Sequence, residues 1–198
     1  IYPYGPSEIG ASVKAYFALK LAGVPADSPR IDGLRERILA LGGIQAANSY
    51  VKINLSLFGL YPREHVPAVP PEMMLLPGNF IYQMSSWTRA IVIPLSIVHA
   101  LNPKRSVPTG FTLQELFKPG VDLSFRRDQR PFTWRNFFLR VDAILKWWEE
   151  HPIRSLRRYA IRRAEKWILD HTHHSGGLAA IYPPMQYLIM ALDLLGYP

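Results

Sequence analysis

Three histidines close to an aspartate are the residues in this chain best suited to bind a metal ion. Asp170 precedes His171, His173 and His174 in the run DHTHH. Neutral imidazoles with a carboxylate are ligands that transition metals accept. The run stands directly before two glycines, however, at a predicted helix end where the helix dipole favours histidine. We therefore predict no metal site and assign these histidines to a helix terminus.

Other patterns that commonly carry catalysis are missing. Glu149 and Glu150 are adjacent, so on a helix they point to different sides and do not form a glycosidase-like pair. The sequence has no G-x-G-x-x-G, P-loop, G-x-S-x-G or H-E-x-x-H motif. It has no cysteine, and its seven aspartates are isolated from one another. We predict that the chain carries no catalytic residue and needs no cofactor.

Apolar residues recur at helical spacing along most of the 198 residues. The endings ALKLAGVP, LSLFGLYP and ALDLLGYP repeat one pattern, in which a helix stops at Gly23, Gly59 or Gly196 and a proline follows. Repeated endings of this kind indicate stacked helical hairpins. No segment alternates as a strand would. The predicted fold class is all-α, built from antiparallel helical hairpins.

The segment at about 102–132 has no clear period and is rich in proline and glycine. Within it, GFTLQELF places Phe111, Leu113, Leu116 and Phe117 in a short apolar turn. Such a turn either lies on a bilayer surface or packs back on the protein body. We predict membrane contact through these four residues.

The net charge of +8 is concentrated in one region. Twelve of the 23 lysines and arginines lie between Arg126 and Lys166. A base excess can bind nucleic acid or anionic lipid. Arg154, Arg158 and Arg162 recur every four residues, which places them on one outer helix face rather than on aromatic-rich loops. We therefore predict no nucleic-acid partner, although a basic nucleic-acid-binding protein is one alternative.

Four stretches together resemble a known family. GPSEIGASVKAYFALKLAG, VPAVPPEMMLLP, MSSWTRAIVIPLSIV and GLAAIYPPM occur in this order, as they do in squalene-hopene cyclases, the bacterial class II triterpene cyclases. The resemblance implies two α/α barrels around a hydrophobic cavity, cofactor-free cyclisation of squalene, and peripheral or monotopic attachment to the cytoplasmic side of the cytoplasmic membrane. It implies that residues 1–198 form one incomplete α/α barrel (toroid), with the irregular segment at 102–132 as an insertion.

The resemblance also suggests substrate-binding residues. Ile181, Tyr182, Pro183 and Pro184 match the family's I-x-P-P segment at the cavity wall, and Asn54 and Phe58 match positions near the cavity and its channel. Plain packing is the alternative for each. The family's general acid, in a D-x-D-D motif, has no counterpart here.

We therefore interpret the chain as a fragment of a squalene-hopene cyclase-like enzyme that is inactive alone. Its expected partners are a squalene-like polyprenyl substrate, a C-terminal barrel, a membrane surface and a second copy in a homodimer. The alternative is a non-catalytic helical scaffold or lipid-binding domain derived from the same family.

Overall fold

The protein is all-α in the residues that the structure describes, as the sequence predicts. The structure is a computed structural model, and it describes residues 5–123, 127–172 and 178–198. Eight α-helices and four short 3₁₀ turns occur in these ranges, and no strand. None of the helices found there combines the length and the apolar character needed to cross a membrane.

The chain divides into two compact units. Unit 1 comprises residues 1–67 and 104–126, and unit 2 comprises residues 68–103 and 127–198. The helices of unit 1 are α1 (Ile9–Leu21), α2 (Pro29–Ala40) and α3 (Ser49–Leu57). Those of unit 2 are α4 (Phe80–Gln83), α5 (Ser86–Leu101), α6 (Trp134–Glu150), α7 (Arg154–Thr172) and α8 (Tyr182–Leu195). That all 198 residues form a single domain stays a prediction.

The three repeated helix endings adopt one geometry. Gly23, Gly59 and Gly196 have φ angles of 82°, 69° and 87°, in the left-handed region where glycine carries no Cβ penalty. In each ending the residue after the glycine donates its backbone N–H to the carbonyl five residues earlier, at 3.0–3.1 Å. This is the Schellman motif, which satisfies carbonyl groups at a helix end. The predicted helix terminators are therefore confirmed.

The segment 104–123, here called the strap, packs into the core of unit 1. Leu113 is 1% exposed and Leu116 is fully buried. Phe111 is half-buried against Phe17, with ring centroids 5.7 Å apart, and Phe117 stacks on Tyr61 at 6.0 Å. The predicted membrane contact is therefore wrong for Leu113 and Leu116, because hydrophobic burial inside unit 1 already removes both side chains from water. For Phe111 and Phe117 it stays a prediction.

A partly buried polar cluster fixes the strap to α1. The Glu115 carboxylate accepts hydrogen bonds from the Tyr16 hydroxyl, at 2.9 Å, and from the Lys20 ammonium. Burial and the bond to Glu115 raise the pKa of Tyr16 to about 12. Burial acts to raise the pKa of Glu115, but the bonds from Lys20, its own backbone and Tyr16 outweigh burial, so the net pKa is lowered. The strap is thus held by charge as well as by apolar packing.

Unit 2 is organised around α5. This helix packs against α8 and α7, and it buries Ile93, Ile97 and Val98. Pro94 lies inside α5 without ending it, so a break at this residue, which its missing N–H would favour, does not occur. Ala160 and Ala164 on α7 are fully buried, because small side chains let neighbouring elements approach closely.

Candidate functional site

The start of α8 carries the segment that resembles the cyclase cavity wall. Ile181 precedes the helix in an extended conformation, with φ −126° and ψ 154°, and Tyr182 opens it. Pro183 and Pro184 follow in the first turn, where the fixed φ of proline suits a helix and its missing N–H costs nothing. A helix start usually presents unpaired N–H groups. The two prolines remove donors here, so this surface suits a hydrocarbon better than an anion.

A left-handed turn positions this helix start. Leu178, Ala179 and Ala180 have φ angles of 52°, 69° and 51°. Non-glycine residues rarely adopt this region, and each such residue costs on the order of 1 kcal/mol or more. Leu178 is only 2% exposed, so burial of its side chain holds the turn in place. Strained backbone directly before Ile181 is consistent with a functional role for the α8 start.

The four matched residues of α8 differ in what they offer to a ligand. Tyr182 is 71% exposed, and its ring dominates the accessible surface. Ile181 and Pro183 are half-buried beside it. Pro184 is buried, which fits the packing alternative named for it. The structure therefore brings Ile181, Tyr182 and Pro183 together as one accessible surface.

The other two predicted substrate residues lie on or directly after α3, in unit 1. Asn54 and Phe58 are both half-buried and one helical turn apart. The Phe58 ring packs on Phe17, with centroids 5.4 Å apart. Asn54 takes part in polar interactions of its own. Packing within unit 1 accounts for both, and their contact with substrate stays a prediction.

A second candidate surface, missed by the sequence analysis, is the apolar side of α6. The pattern predicts a packed stripe through Phe137, Val141, Leu145 and Trp148, yet Phe137 is 53% exposed and the other three are only half-buried. Five large apolar residues of α6 are more than half exposed, namely Trp134, Phe137, Phe138, Ile144 and Trp147. The sequence does signal this surface, through the pairs of adjacent apolar residues at 137–138, 144–145 and 147–148. These pairs make the apolar side of α6 wider than a single stripe of core residues requires.

The polar side of α6 is the side that attaches to the rest of unit 2. Asp142 accepts a hydrogen bond from the Ala68 backbone N–H at 2.9 Å, and Glu149 accepts one from Val69 at 3.2 Å. Lys146 pairs with Asp142 at 2.6 Å. A surface helix normally directs its apolar side inward. In α6 the carboxylates of Asp142 and Glu149 face the protein. The aromatic rings of residues 134, 137, 138 and 147 face outward.

The aromatic residues at the start of α6 form a contiguous cluster. The ring centroids of Trp134 and Phe137 are 5.8 Å apart, those of Trp134 and Phe138 6.1 Å, and those of Phe137 and Phe138 5.4 Å. These separations are typical of favourable aromatic pairs. A large exposed apolar patch of this kind marks an interaction surface rather than scattered surface residues.

An ion pair connects α7 to the 3₁₀ turn Pro71–Leu75 of unit 2. Arg157 of α7 donates to Glu72 at 2.9 Å, and the two side chains are 12% and 13% exposed. Arg154, Arg158 and Arg162 are exposed, which confirms the predicted outer face.

The histidine run gives no evidence for a metal site. Among the residues that the structure describes, no group of three or more His, Cys, Asp or Glu side chains could hold a metal ion. His173 and His174 lie outside the described residues. The ring of His171 stacks on Trp167, with centroids 4.0 Å apart, and its Nδ1–H donates a hydrogen bond to the Trp167 carbonyl at 2.8 Å.

Known proteins resemble this chain over its whole length. Residues 1–198 match the family described as the squalene-hopene cyclase N-terminal domain. The chain is 38% identical over 197 residues to a squalene-hopene cyclase of Zymomonas mobilis, covering 98% of this chain and 30% of the relative. It is 34% identical over 199 residues to a squalene-hopene cyclase of Alicyclobacillus acidocaldarius, covering 98% and 31%. It is 31% identical over 194 residues to a dammaradiene synthase of Dryopteris crassirhizoma, covering 96% and 28%.

The chain thus spans about 30% of the length of the curated relatives that it matches. The N-terminal domain of this family is a helical barrel, in agreement with the predicted α/α-barrel class. Both the family match over all residues and the relatives above 30% identity agree with the four sequence stretches that first indicated the family. This chain belongs to the squalene-hopene cyclase family, and its residues correspond to the N-terminal domain.

Proposed function

We propose that this chain supplies part of the cavity wall of a terpene cyclase that converts a squalene-like polyprene into polycyclic, hopene-type products. The observation that carries the proposal is the family match over all 198 residues. Protonating an alkene requires a strongly acidic carboxylic acid with partners that stabilise its conjugate base. The 198 residues contain no D-x-D-D motif. The proton must therefore come from another part of the enzyme.

The chemistry of the α8 start supports this role. A polyprene has no group that pairs with a hydrogen-bond donor, so its site needs apolar walls and few unpaired N–H groups. Ile181, Pro183 and the Tyr182 ring supply such a wall. The aromatic face of Tyr182 can also stabilise positive charge that develops on a carbocation, because a π face attracts cations.

A chimeric enzyme tests the proposal. Residues 1–198 replace the matched segment of the Zymomonas mobilis squalene-hopene cyclase, and products from squalene are identified by gas chromatography and mass spectrometry. We expect cyclised product from the chimera and none from the 198-residue chain alone. Tyr182→Ala should lower turnover or increase incompletely cyclised products, and the exposed α7 variant Arg162→Ala should not. A folded chimera that leaves squalene unchanged would overturn the proposal.

We also propose that α6 attaches the enzyme to the cytoplasmic face of a membrane. Each of its exposed aromatic or aliphatic side chains contributes about 1.5–3 kcal/mol if it leaves water fully. Neighbouring exposed arginines, including Arg154 and Arg158, would add electrostatic attraction to anionic lipids. A membrane position would give access to a substrate that dissolves in lipid rather than in water.

Vesicle co-sedimentation tests the attachment. We expect the triple variant Trp134→Ser, Phe137→Ser, Phe138→Ser to lose most binding to vesicles of mixed neutral and anionic lipids. The double variant Phe111→Ser, Phe117→Ser measures the contribution predicted for the strap, which should be the smaller of the two because both rings are half-buried. Since apolar insertion resists salt screening, part of the wild-type binding should survive 1 M salt. Equal binding by the wild type and the α6 variant would refute the role of α6.

A non-catalytic lipid-binding domain is the second candidate function. The exposed aromatic side of α6 favours it, because that surface needs no cyclisation chemistry to bind lipid. The chimeric enzyme distinguishes the two candidate functions. A lipid-binding domain would retain vesicle binding and give no cyclised product, whereas a cyclase wall supports product formation.

A further inference from the structure

A groove on unit 2 runs along one side of α7. Its volume is about 630 Å³, inside the range of roughly 300–1,000 Å³ usual for small-molecule sites. One wall is formed by the 3₁₀ turn Pro71–Leu75 and by α4, and the other by α7. None of the residues that match the cyclase cavity wall lines this groove.

Apolar and adaptable side chains contribute to both walls of the groove. Met73 and Met74 lie on one wall, with Phe80 beside them, and Leu156 and Tyr159 lie on the other. Methionine is flexible and polarisable, so it adapts to the shape of an alkyl chain. Phe80 is 40% exposed and Tyr159 is 54% exposed, so these rings are accessible to a ligand.

The α7 wall of the groove carries one positive charge that has no partner carboxylate among the described residues. Arg163 is exposed and, within the described ranges, forms no ion pair with a protein carboxylate. Lys166 lies one turn further along α7 and pairs with Asp170 at 3.0 Å. The two side chains of that pair are 74% and 55% exposed, so water screens the attraction. Asp170 is the single acidic residue among those that line the groove.

A buried donor in the α7 wall also lacks an acceptor. Trp167 lines the groove, is 8% exposed, and its indole N–H has no hydrogen-bond partner in the described part of the chain. Burying a donor without an acceptor is unfavourable.

We propose that this groove binds an acidic amphiphile, a single alkyl or isoprenoid chain that ends in a carboxylate or phosphate. The chain lies against Met73, Met74 and Phe80. The anionic head lies beside Arg163 and Lys166, whose charges complement it. This site is separate in its residues from the α8 surface assigned to the cyclisation substrate, so the inference stands without the proposed cyclase activity.

Calorimetric titration of the 198-residue chain tests the chemistry of the ligand. The ligands are dodecanoate and dodecyl phosphate below their micelle concentrations, dodecanol, acetate and inorganic phosphate. We expect both chain-bearing anions to bind at one site, and dodecanol, acetate and phosphate to bind at least about tenfold more weakly, since each lacks one of the two contributions. Equal affinity for dodecanol and dodecanoate, or absence of saturable dodecanoate binding, would overturn the proposal.

Two variants on adjacent residues of α7 test the position of the site. Arg163→Gln should weaken dodecanoate binding about fivefold, the effect of one exposed charge pair. Arg162→Gln removes the same charge from an exposed residue outside the groove and should leave affinity unchanged. Circular dichroism checks that both variants fold. Equal losses in the two variants would show a general charge effect and contradict the assigned site.

Vesicles distinguish the two sources of such a ligand. If Arg163→Gln also weakens binding to phosphatidic acid vesicles more than Arg162→Gln does, the head belongs to a membrane lipid. If vesicle binding is the same for both variants while dodecanoate binding falls only in Arg163→Gln, the ligand is a free amphiphile. Both results support the groove as the site, and they differ only in where the ligand comes from.

Discussion

Replacement of Leu116 by alanine tests whether the strap is a core element of unit 1. Leu116 is fully buried, and truncating a buried leucine to alanine typically costs about 2–5 kcal/mol of unfolding free energy. A strap that only rests on the surface would lose about 0.5 kcal/mol or less. The losses of unfolding free energy expected from a buried strap and from a surface strap therefore differ by more than the error of a denaturation experiment.

Urea denaturation followed by far-UV circular dichroism measures this difference, with linear extrapolation to zero denaturant. Val121→Ala is the matched control, because Val121 belongs to the same strap and is 41% exposed. All five tryptophans belong to unit 2, so their fluorescence follows that unit separately. A loss below 1 kcal/mol for Leu116→Ala, equal to that of Val121→Ala, would refute the burial of the strap in unit 1.

Three further variants probe the same unit. Because the folded-state pKa of Glu115 is lowered from 4.5, its contribution to stability is present above about pH 4.5 and is lost as the pH falls through the lowered pKa. The unfolding free energy of Glu115→Gln should therefore depend less on pH in this acid range. An unchanged pH dependence would contradict the role of the Glu115 cluster. The raised pKa of Tyr16, about 12, makes the protein lose stability as the pH rises from 10 to 12, and Tyr16→Phe should lose less stability over this range in the same assay. In urea denaturation, Gly43→Ala should lose more stability than Gly23→Ala. Both glycines have positive φ, but a Cβ at Gly43 would lie 2.9 Å from the Lys118 backbone nitrogen, whereas a Cβ at Gly23 would meet open space. Equal losses of stability would argue against close approach of the strap to Gly43.

The helices and their ends were predictable because local rules determine them. A left-handed glycine after Leu-x-Leu-x satisfies a helix end wherever the chain lies, so Gly23, Gly59 and Gly196 behave alike. The buried side of α1 was less predictable. The four-residue spacing predicts that Ile9, Val13, Phe17 and Leu21 face the core. Val13 is buried, but Leu21 is 46% exposed and Tyr16 is buried instead. Tyr16 is drawn inward by its bond to Glu115, which is 99 residues away and invisible to a local pattern.

The candidate site was predictable only where a motif carried it. The I-x-P-P match located the start of α8, but no sequence rule predicts that Ala179 and Ala180 adopt left-handed backbone, since glycine is the residue expected there. The orientation of α6 was likewise missed. An amphipathic pattern shows that a helix has two sides, and only the bonds of Asp142 and Glu149 to the backbone at 68–69 show which side faces the protein.

Photo-crosslinking of a squalene analogue tests most directly whether this chain forms the wall of a cyclase cavity. The chimera with the Zymomonas mobilis enzyme is irradiated with a diazirine-bearing squalene analogue, and the labelled residues are mapped by mass spectrometry, with unlabelled squalene as competitor. We expect labels at Ile181 and Tyr182, on the accessible surface at the start of α8, and we expect unlabelled squalene to suppress them. Labels confined to the α7 groove or to the outer arginine face, with none at the α8 start, would contradict it.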